Sequence, residues 1–312
     1  MSYKYFVILN PAAGKGKAQK EQPQVEAFFR DSGLTYEIVN TKGPGDALSI
    51  ARNLPWDEGT AVISAGGDGT CNEVVNGLLS RPPAAGKAAP LIGLLPLGRG
   101  NDFSYSAGIP GGLPGAMKTL VSGTVIPLDA GRITGGYYPQ GRYFINGVGI
   151  GFDTIVGLEA AKLTHVQDAF AYIIGALKTL IRFDPSPVLE IRFEDQMITL
   201  DAILVSLMNG KRMGGTFFMA PEALINDGQL DAFIVERANR RKILRAILRV
   251  AKGTQAGFPG VSMPRARSFS LKALSGGMVC HADGETICLD GKELFVESLP
   301  QVLRLLVPGA AE

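Results

Sequence analysis

The sequence predicts an α/β protein in two parts: an N-terminal doubly wound parallel sheet over residues 1–128 and a C-terminal antiparallel β-sandwich over residues 129–298. Three observations predict it. Through the first part, short apolar runs alternate with single helix-like segments, the pattern of a parallel sheet with crossover helices. After Val125-Ile-Pro-Leu-Asp129 the texture changes to short β-rich pieces divided by turn signals, the pattern of antiparallel strands. Finally, 312 residues with 46% hydrophobic side chains suffice for two cores.

The elements follow in order. Tyr5–Leu9 is a buried strand, closed by a loop from Asn10-Pro11 through Gly14 to Lys17. A helix-like segment spans Val25–Arg30, a strand Tyr36–Val39, a helix Asp46–Arg52 and a strand Thr60–Ser64. The next stretch, Ile63–Leu78, organises the rest: a strand, then Gly66-Gly67-Asp68-Gly69, then a helix beginning near Thr70. Its glycines allow positive φ and close approach of backbone amides, while the helix start contributes unpaired N–H groups and a positive dipole end. Such a turn attracts phosphate, although a plain βα turn uses glycines as well. Strand Leu91–Leu95 then leads into Pro96-Leu-Gly-Arg-Gly-Asn-Asp-Phe103. Three strand ends therefore carry Gly, Asn and Asp, and in a doubly wound sheet such ends converge on one crevice.

In the second part the strands are Gly131–Thr134, Arg142–Asn146, Val188–Phe193, Ile198–Leu207, Leu230–Val235, Ser268–Leu274 and Glu293–Val296. Gly135-Gly136, Asn226-Asp227-Gly228 and Asp290-Gly291 mark turns between them. Two helices interrupt the strands. One opens at Thr164, with Gln167 completing a capping box, and runs to about Ile181; the other spans Asn239–Lys252.

Composition narrows the function. A net charge of +2 with 19% charged residues gives no case for nucleic acid or for disorder. Cys71, Cys280 and Cys288 are an odd, sparse set that makes no disulfide framework, and two histidines leave little for a zinc cluster. No export signal or apolar run of about 18 residues is visible, so a reduced, cytoplasmic protein is expected. Gly14-Lys-Gly-Lys17 lacks the spacing and hydroxyl of a Walker A loop.

Taken together, Asn10-Pro11 with Gly14, Gly66-Gly67-Asp68-Gly69-Thr70 with Asn72 and Glu73, and Gly98-x-x-Asn101-Asp102-Phe103 resemble the diacylglycerol-kinase catalytic family in its bacterial lipid-kinase branch. The resemblance continues through Leu128-Asp129-Ala-Gly131, Asn146-Gly-Val-Gly-Ile-Gly-Phe-Asp153, Ala220-Pro221, Asn226–Asp231 and His281-Ala-Asp283-Gly284-Glu285 to Val302–Pro308. It implies that residues 299–312 return to complete the first domain and that the active site lies in the cleft between the domains. It also implies an ATP-dependent lipid kinase. Diacylglycerol is the default acceptor; a sphingoid base, ceramide or phosphatidylglycerol, or a silent nucleotide- and lipid-binding module, are the alternatives.

By the same resemblance, Asn10, Gly14, Thr41, Gly66, Gly67, Asp68, Gly69, Thr70, Glu73, Gly98, Arg99, Asn101 and Asp102 surround the nucleotide, with Asp68 and Asp102 suited to Mg²⁺. Arg99 stands where the branch commonly has Thr. It could pair with phosphate through two hydrogen bonds or face solvent. Glu285 is implied as general base with Asp283 as its partner, although Asp-Gly is also a common hairpin turn. A structural Mg²⁺ is implied at the Leu224 and Gln229 carbonyls and the Asp227 carboxylate, with Asp129 linking that site to Asp68; read alone, Asn226-Asp227-Gly228 is a turn.

From Arg237 to Lys272 the chain holds ten cationic side chains and no acidic one. Residues 239–252 form a basic amphipathic helix, with Ile243, Leu244, Ile247, Leu248 and Ala251 on its apolar side. That is the pattern of an element attracted to an anionic membrane surface, and also of an ordinary surface helix with a solvated cationic face. Peripheral membrane association is expected, and homodimerisation is left open. The apolar helix Phe170–Leu180 is by composition a core helix; by resemblance an acyl chain would rest there.

Overall fold

β1 (Lys4–Leu9) is buried at every position after Lys4, as a strand covered on both faces must be. The computed structural model describes residues 3–81, 88–161, 175 and 186–309; except for Gly175, the helix expected from Thr164 to Ile181 lies outside them. The chain divides into two compact units, Met1–Ala130 with Pro300–Glu312, and Gly131–Leu299.

In the first unit, α1 (Ala13–Asp31) links β1 to β2 (Tyr36–Asn40), and α2 (Asp46–Asn53) leads to β3 (Thr60–Gly66). α3 (Asp68–Leu79) then leads to β4 (Leu91–Pro96). All four strands pair in parallel, in the spatial order β2-β1-β3-β4. The chain steps to one side of β1 for β2 and to the other for β3. This reversal opens a crevice at the carboxyl ends of the two inner strands. α1 starts earlier than expected, because the polar residues before Val25 continue the helix and only Ala18, Val25 and Phe29 bury. The expected loop survives as a kink: Gly14, Lys15 and Gly16 all hold left-handed backbone within it. α4 (Asp102–Ser106) and α5 (Leu113–Ser122) follow. They are short, five and ten residues, and are additional to the elements expected from the sequence.

β5 (Thr124–Gly135) runs into the second unit and pairs there with β6 (Tyr138–Phe144). β7 (Gly147–Gly151) and α6 (Phe152–Ala161) precede β8 (Val188–Phe193) and β9 (Gln196–Met208). β9 belongs to two sheets: its first half pairs with β8, its second with β7 and with β10 (Leu230–Glu236). α7 (Arg240–Val250) comes next, then the two-residue strands β11 (Val261–Ser262) and β12 (Arg265–Ala266), both paired with β10. β13 (Ser268–Ser275) joins β8 in one sheet, while β14 (Met278–Ala282) joins β7, and β15 (Glu285–Gly291) joins β14, in the other. β16 (Glu293–Val307) pairs with β13 through its first residues. Expected to stop at Val296, it continues into the first unit, where Arg304 and Leu305 lie parallel to β4.

Phe144, Phe269, Leu189, Ile191, Val205, Leu207 and Ile287 form the core of the second unit. A second cluster of Phe152, Met219 and Phe233 receives Ile243 and Ile247 of α7. The apolar side of α7 therefore splits, since Leu244 and Leu248 remain 41% and 57% exposed among Arg240, Arg241, Arg245 and Arg249. Asn239 caps this helix by accepting from the Lys242 N–H at 3.0 Å. Among the described residues no helix is long and apolar enough to cross a membrane.

Gly131 lies opposite Phe144, and a Cβ there would come within 1.9 Å of the ring. Gly131→Ala should therefore cost about 1–3 kcal/mol of stability, read as a lowered denaturation midpoint. An unchanged midpoint would mean that the Phe144 ring can give way.

Candidate active site

The glycines after β3 are needed for proximity rather than for positive φ. Gly66, Gly67 and Gly69 all lack positive φ, and Gly67 is extended at φ −99° and ψ −172°. A Cβ on Gly66 would lie 2.4 Å from Thr70 Oγ1, and one on Gly98 only 2.3 Å from Gly67 Cα. The two Gly-rich loops thus touch backbone to backbone. The Gly66 carbonyl accepts from the N–H groups of Leu97 and Gly98 at 2.8 and 3.1 Å, which ties the β4 loop to the β3 turn. The helix starts two residues earlier than expected, with Gly67 as N-cap and Asp68 in the first turn. Its first amides lack intrahelical acceptors, and beside Gly69 a Cβ would meet nothing within 4 Å.

Neighbouring strand ends contribute the rest. After β1, the Asn10 side chain donates to Thr70 Oγ1 at 3.0 Å and accepts from the Ala12 N–H at 3.1 Å. Gly14 adopts φ +60°, and a Cβ on it would lie 2.6 Å from the Leu97 carbonyl oxygen. Just past β2, Thr41 donates its N–H to Leu9 at 2.8 Å. Asn101 sits in the left-handed region at φ 50°, which its short amide tolerates. That amide both accepts from and donates to the Gly98 backbone at 3.1 Å. Asp68 Oδ1 accepts from the Phe103 N–H at 3.2 Å. Arg99 is exposed on the same loop.

These contacts bring two carboxylates to one point. A Cβ on Gly100 would lie 3.0 Å from Asp68 Oδ2 and 3.4 Å from Asp102 Oδ2, so the missing side chain leaves a cradle faced by both. Asp102 is only 6% exposed. Hard carboxylate oxygens around a small space fit Mg²⁺, which takes one or two carboxylates and fills its remaining positions with water and phosphate oxygens. Gly100 is a further residue of this site, and its signal in the sequence is its place between two acidic loop ends. Asp129, expected to link the structural metal site to Asp68, is fully buried and accepts from the Gln301 N–H at 2.8 Å, fastening β5 to β16 within the first unit.

Glu73, expected near the nucleotide, commits its carboxylate to the start of α2. It accepts from the N–H groups of Gly45, Ala47 and Leu48 at 2.8, 3.1 and 3.4 Å. A carboxylate at a helix N-terminus satisfies orphan donors and complements the dipole.

The second unit holds the other acidic residues. Asp283 adopts φ 47° and Gly284 φ 87°, turning the chain between β14 and β15. The Asp283 carboxylate accepts from the N–H groups of Ile145, Asn146 and Gly147 at 2.7, 3.1 and 2.9 Å, so it pins this turn to the joint between β6 and β7. Glu285, at the start of β15, is exposed, with Arg142 at 4.0 Å from its carboxylate. Arg142, itself stacked on the Tyr138 ring, was not singled out in the sequence.

The expected structural metal site is already neutralised. Asp227 accepts from the Gln229 N–H at 3.0 Å and pairs with Arg265, whose guanidinium also pairs with Asp231 at 3.0 Å, while Leu224 is exposed. A permanent cation at the one carboxylate of this donor set does not fit a divalent ion there. Burial pushes the Asp231 carboxyl above its usual range, against the pull of Arg265. Among the described residues no three His, Cys, Asp or Glu side chains gather as a metal cluster.

Removing the Glu73 carboxylate leaves three helix-start donors without their acceptor. Glu73→Ala should lower stability by about 1–3 kcal/mol while nucleotide affinity stays near wild type, measured by thermal melting and titration calorimetry. The opposite result, affinity lost with stability kept, would return Glu73 to the nucleotide.

The chain matches the diacylglycerol kinase catalytic domain model over residues 4–133. Residues 146–307 match the model of the YegS C-terminal NAD kinase β-sandwich-like domain. It is 32% identical to Escherichia coli YegS over 306 residues, 97% of this chain and 95% of that protein. With the diacylglycerol kinase of Bacillus subtilis it shares 30% identity over 281 residues, 89% and 88% of the two chains. A crystal structure from Bacillus anthracis shares the fold at a TM-score of 0.76 and 24% identity, over 99% of this chain and 98% of the other. The chain belongs to the diacylglycerol kinase catalytic-domain family, in the branch whose members carry a YegS-type β-sandwich domain.

Proposed function

We propose that the protein transfers the γ-phosphoryl group of ATP to a lipid hydroxyl, with diacylglycerol as acceptor and phosphatidic acid as product. The division of labour among its carboxylates carries this reading. Asp68 and Asp102 present oxygens to one point beside the start of α3, whereas Glu285 stands exposed on a hairpin that Asp283 holds rigid. Phosphoryl transfer needs these two provisions: relief of negative charge on the phosphates and an acceptor for the hydroxyl proton.

The amides of Gly67–Thr70 take phosphate oxygens at the helix start. Mg²⁺, when held by Asp68 and Asp102, neutralises charge on the phosphates. Glu285 takes the proton of the lipid hydroxyl as its oxygen bonds to the γ-phosphorus; the bond from that phosphorus to the bridging oxygen breaks, and ADP leaves. Asp283 is a positioning residue in this scheme, because its oxygens are engaged by backbone N–H groups. Arg99 offers a planar, two-pronged partner to a phosphate.

The acceptor is embedded in a bilayer, and α7 supports peripheral access to it. Leu244 and Leu248 project between four arginines, which suits shallow insertion into an anionic surface. Flotation with phosphatidylserine vesicles should carry the protein at low salt and lose it at about 0.5 M salt, where screening is strong. The double change Leu244→Asp and Leu248→Asp should abolish flotation while leaving ATP affinity unchanged; vesicle binding retained in that variant would remove α7 from the interface.

Radiolabelled ATP with Mg²⁺, offered diacylglycerol, ceramide, sphingosine and phosphatidylglycerol together, should label diacylglycerol. Label in another lipid would change the acceptor, and label in none would reject the lipid-kinase reading. Glu285→Gln should lower kcat by about a thousandfold, within the range of general-base losses, with nucleotide binding preserved. Turnover close to wild type would remove Glu285 as the base.

A further inference from the structure

Ser206 on β9, Gly149 on β7, His281 on β14 and Thr286 on β15 are successive cross-strand partners. Directly opposed residues of antiparallel strands present their side chains on one face. Gly149 has none, so a gap opens between Ser206 and His281. Asp153, from the first turn of α6, fills that gap: a Cβ on Gly149 would lie 2.2 Å from Asp153 Oδ2 and 2.5 Å from His281 Nε2. Ser206 Oγ donates to Asp153 Oδ2 at 3.1 Å, and the Thr154 N–H donates to Oδ1 at 2.7 Å. Desolvation raises the Asp153 carboxyl above its usual range, and the nearby His281 opposes that rise.

The other side of the imidazole faces the turn. His281 Nδ1 accepts from the Gly284 N–H at 3.3 Å. With Nδ1 turned to the Gly284 amide, Nε2 is the nitrogen beside Asp153. Gly284 lies between Asp283 and Glu285, and both Asp283 and Gly284 hold left-handed backbone. A turn of that conformation needs anchors. Asp283 supplies one through its side chain, and His281 supplies another at the amide directly before Glu285.

We propose that His281, held by Asp153 and Ser206, is a positioning residue for Glu285: it anchors the Gly284 amide and thereby fixes where the Glu285 carboxylate meets the acceptor hydroxyl. This rests on the assignment of Glu285 as the base.

Three variants separate the two nitrogens. Asn at position 281 keeps an acceptor near the place of Nδ1, Gln keeps a polar group near that of Nε2, and Leu keeps neither. His281→Leu and His281→Gln should lower kcat about ten- to a hundredfold, the cost of a misplaced catalytic group, with the KM for ATP unchanged. His281→Asn should recover most of that loss. Hydrogen exchange of the Gly284 amide should quicken about tenfold or more in His281→Leu and stay near wild type in His281→Asn. Unchanged exchange in His281→Leu, or an Asn variant as slow as the Leu variant, would overturn the proposal. Glu285→Gln run in parallel separates the two claims: turnover surviving there overturns the base assignment and the positioning role with it, whereas a dead Glu285→Gln beside a fully active His281→Leu overturns the positioning role alone.

Discussion

The contact between Gly67 and Gly98 is the constraint on which the first unit's chemistry depends. Two backbone segments meet where a single Cβ would come within 2.3 Å of the other chain, and the Gly66 carbonyl ties them by two hydrogen bonds. Because the β4 loop is pressed against the β3 turn, Asn101 can bridge back to Gly98 and start α4 from a left-handed residue. The Phe103 amide can then reach Asp68. The convergence of Asp68 and Asp102 around Gly100 follows from this packing. Neither carboxylate would be so placed by its own strand, since they belong to separate βα turns.

Carboxylates in this molecule divide by how many backbone donors they accept. Glu73 and Asp283 each take three N–H groups, and buried Asp129 takes the Gln301 amide. Hydrogen bonds from backbone amides to an ionised acceptor are among the stronger ones, and they fix the loops that make them. Glu285, in contrast, is exposed beside Arg142. A base must give up its place to a proton and then release it. Protonation would weaken the bonds of a carboxylate engaged by three amides, whereas an exposed one loses little. In the proposed scheme the same residue type thus builds the frame and serves as the base, according to its hydrogen-bond partners.

The parallel sheet was legible because its strands are apolar on both faces and its loops are rich in Gly, Asn and Asp. The sandwich was legible in part. β7 reads as Gly-Val-Gly-Ile-Gly, a poor strand by propensity, yet its glycines serve crowded neighbours: a Cβ on Gly147 would lie 2.5 Å from Met208 Sδ, and one on Gly149 would meet Asp153. β14 and β15 are less legible: Asp283-Gly284 is a hairpin signal, but the strands flanking it are short and mix Cys, His, Thr and Asp with their apolar residues. For α7 the periodicity gave one apolar side, but burial divides it, and only contacts with Phe233 and Met219 decide which residues lie beneath. Glu73 shows the general limit: a sequence motif identifies the residue and its neighbours in the chain, whereas its partners in α2 lie some 25 residues earlier.

Arg265 marks a similar limit, and its consequence is electrostatic. Asp227 and Asp231 share one guanidinium while Glu222 adds negative charge nearby. Such a cluster needs a cation to be stable, and the sequence motif around Asp227 names only the acidic half of the balance. The cationic half comes from β12, nearly forty residues later. Arginine keeps its charge at any pH at which the protein is folded and cannot dissociate into solvent. The loop before β10 is therefore held by a covalently attached cation, which the chain supplies from a strand remote in sequence.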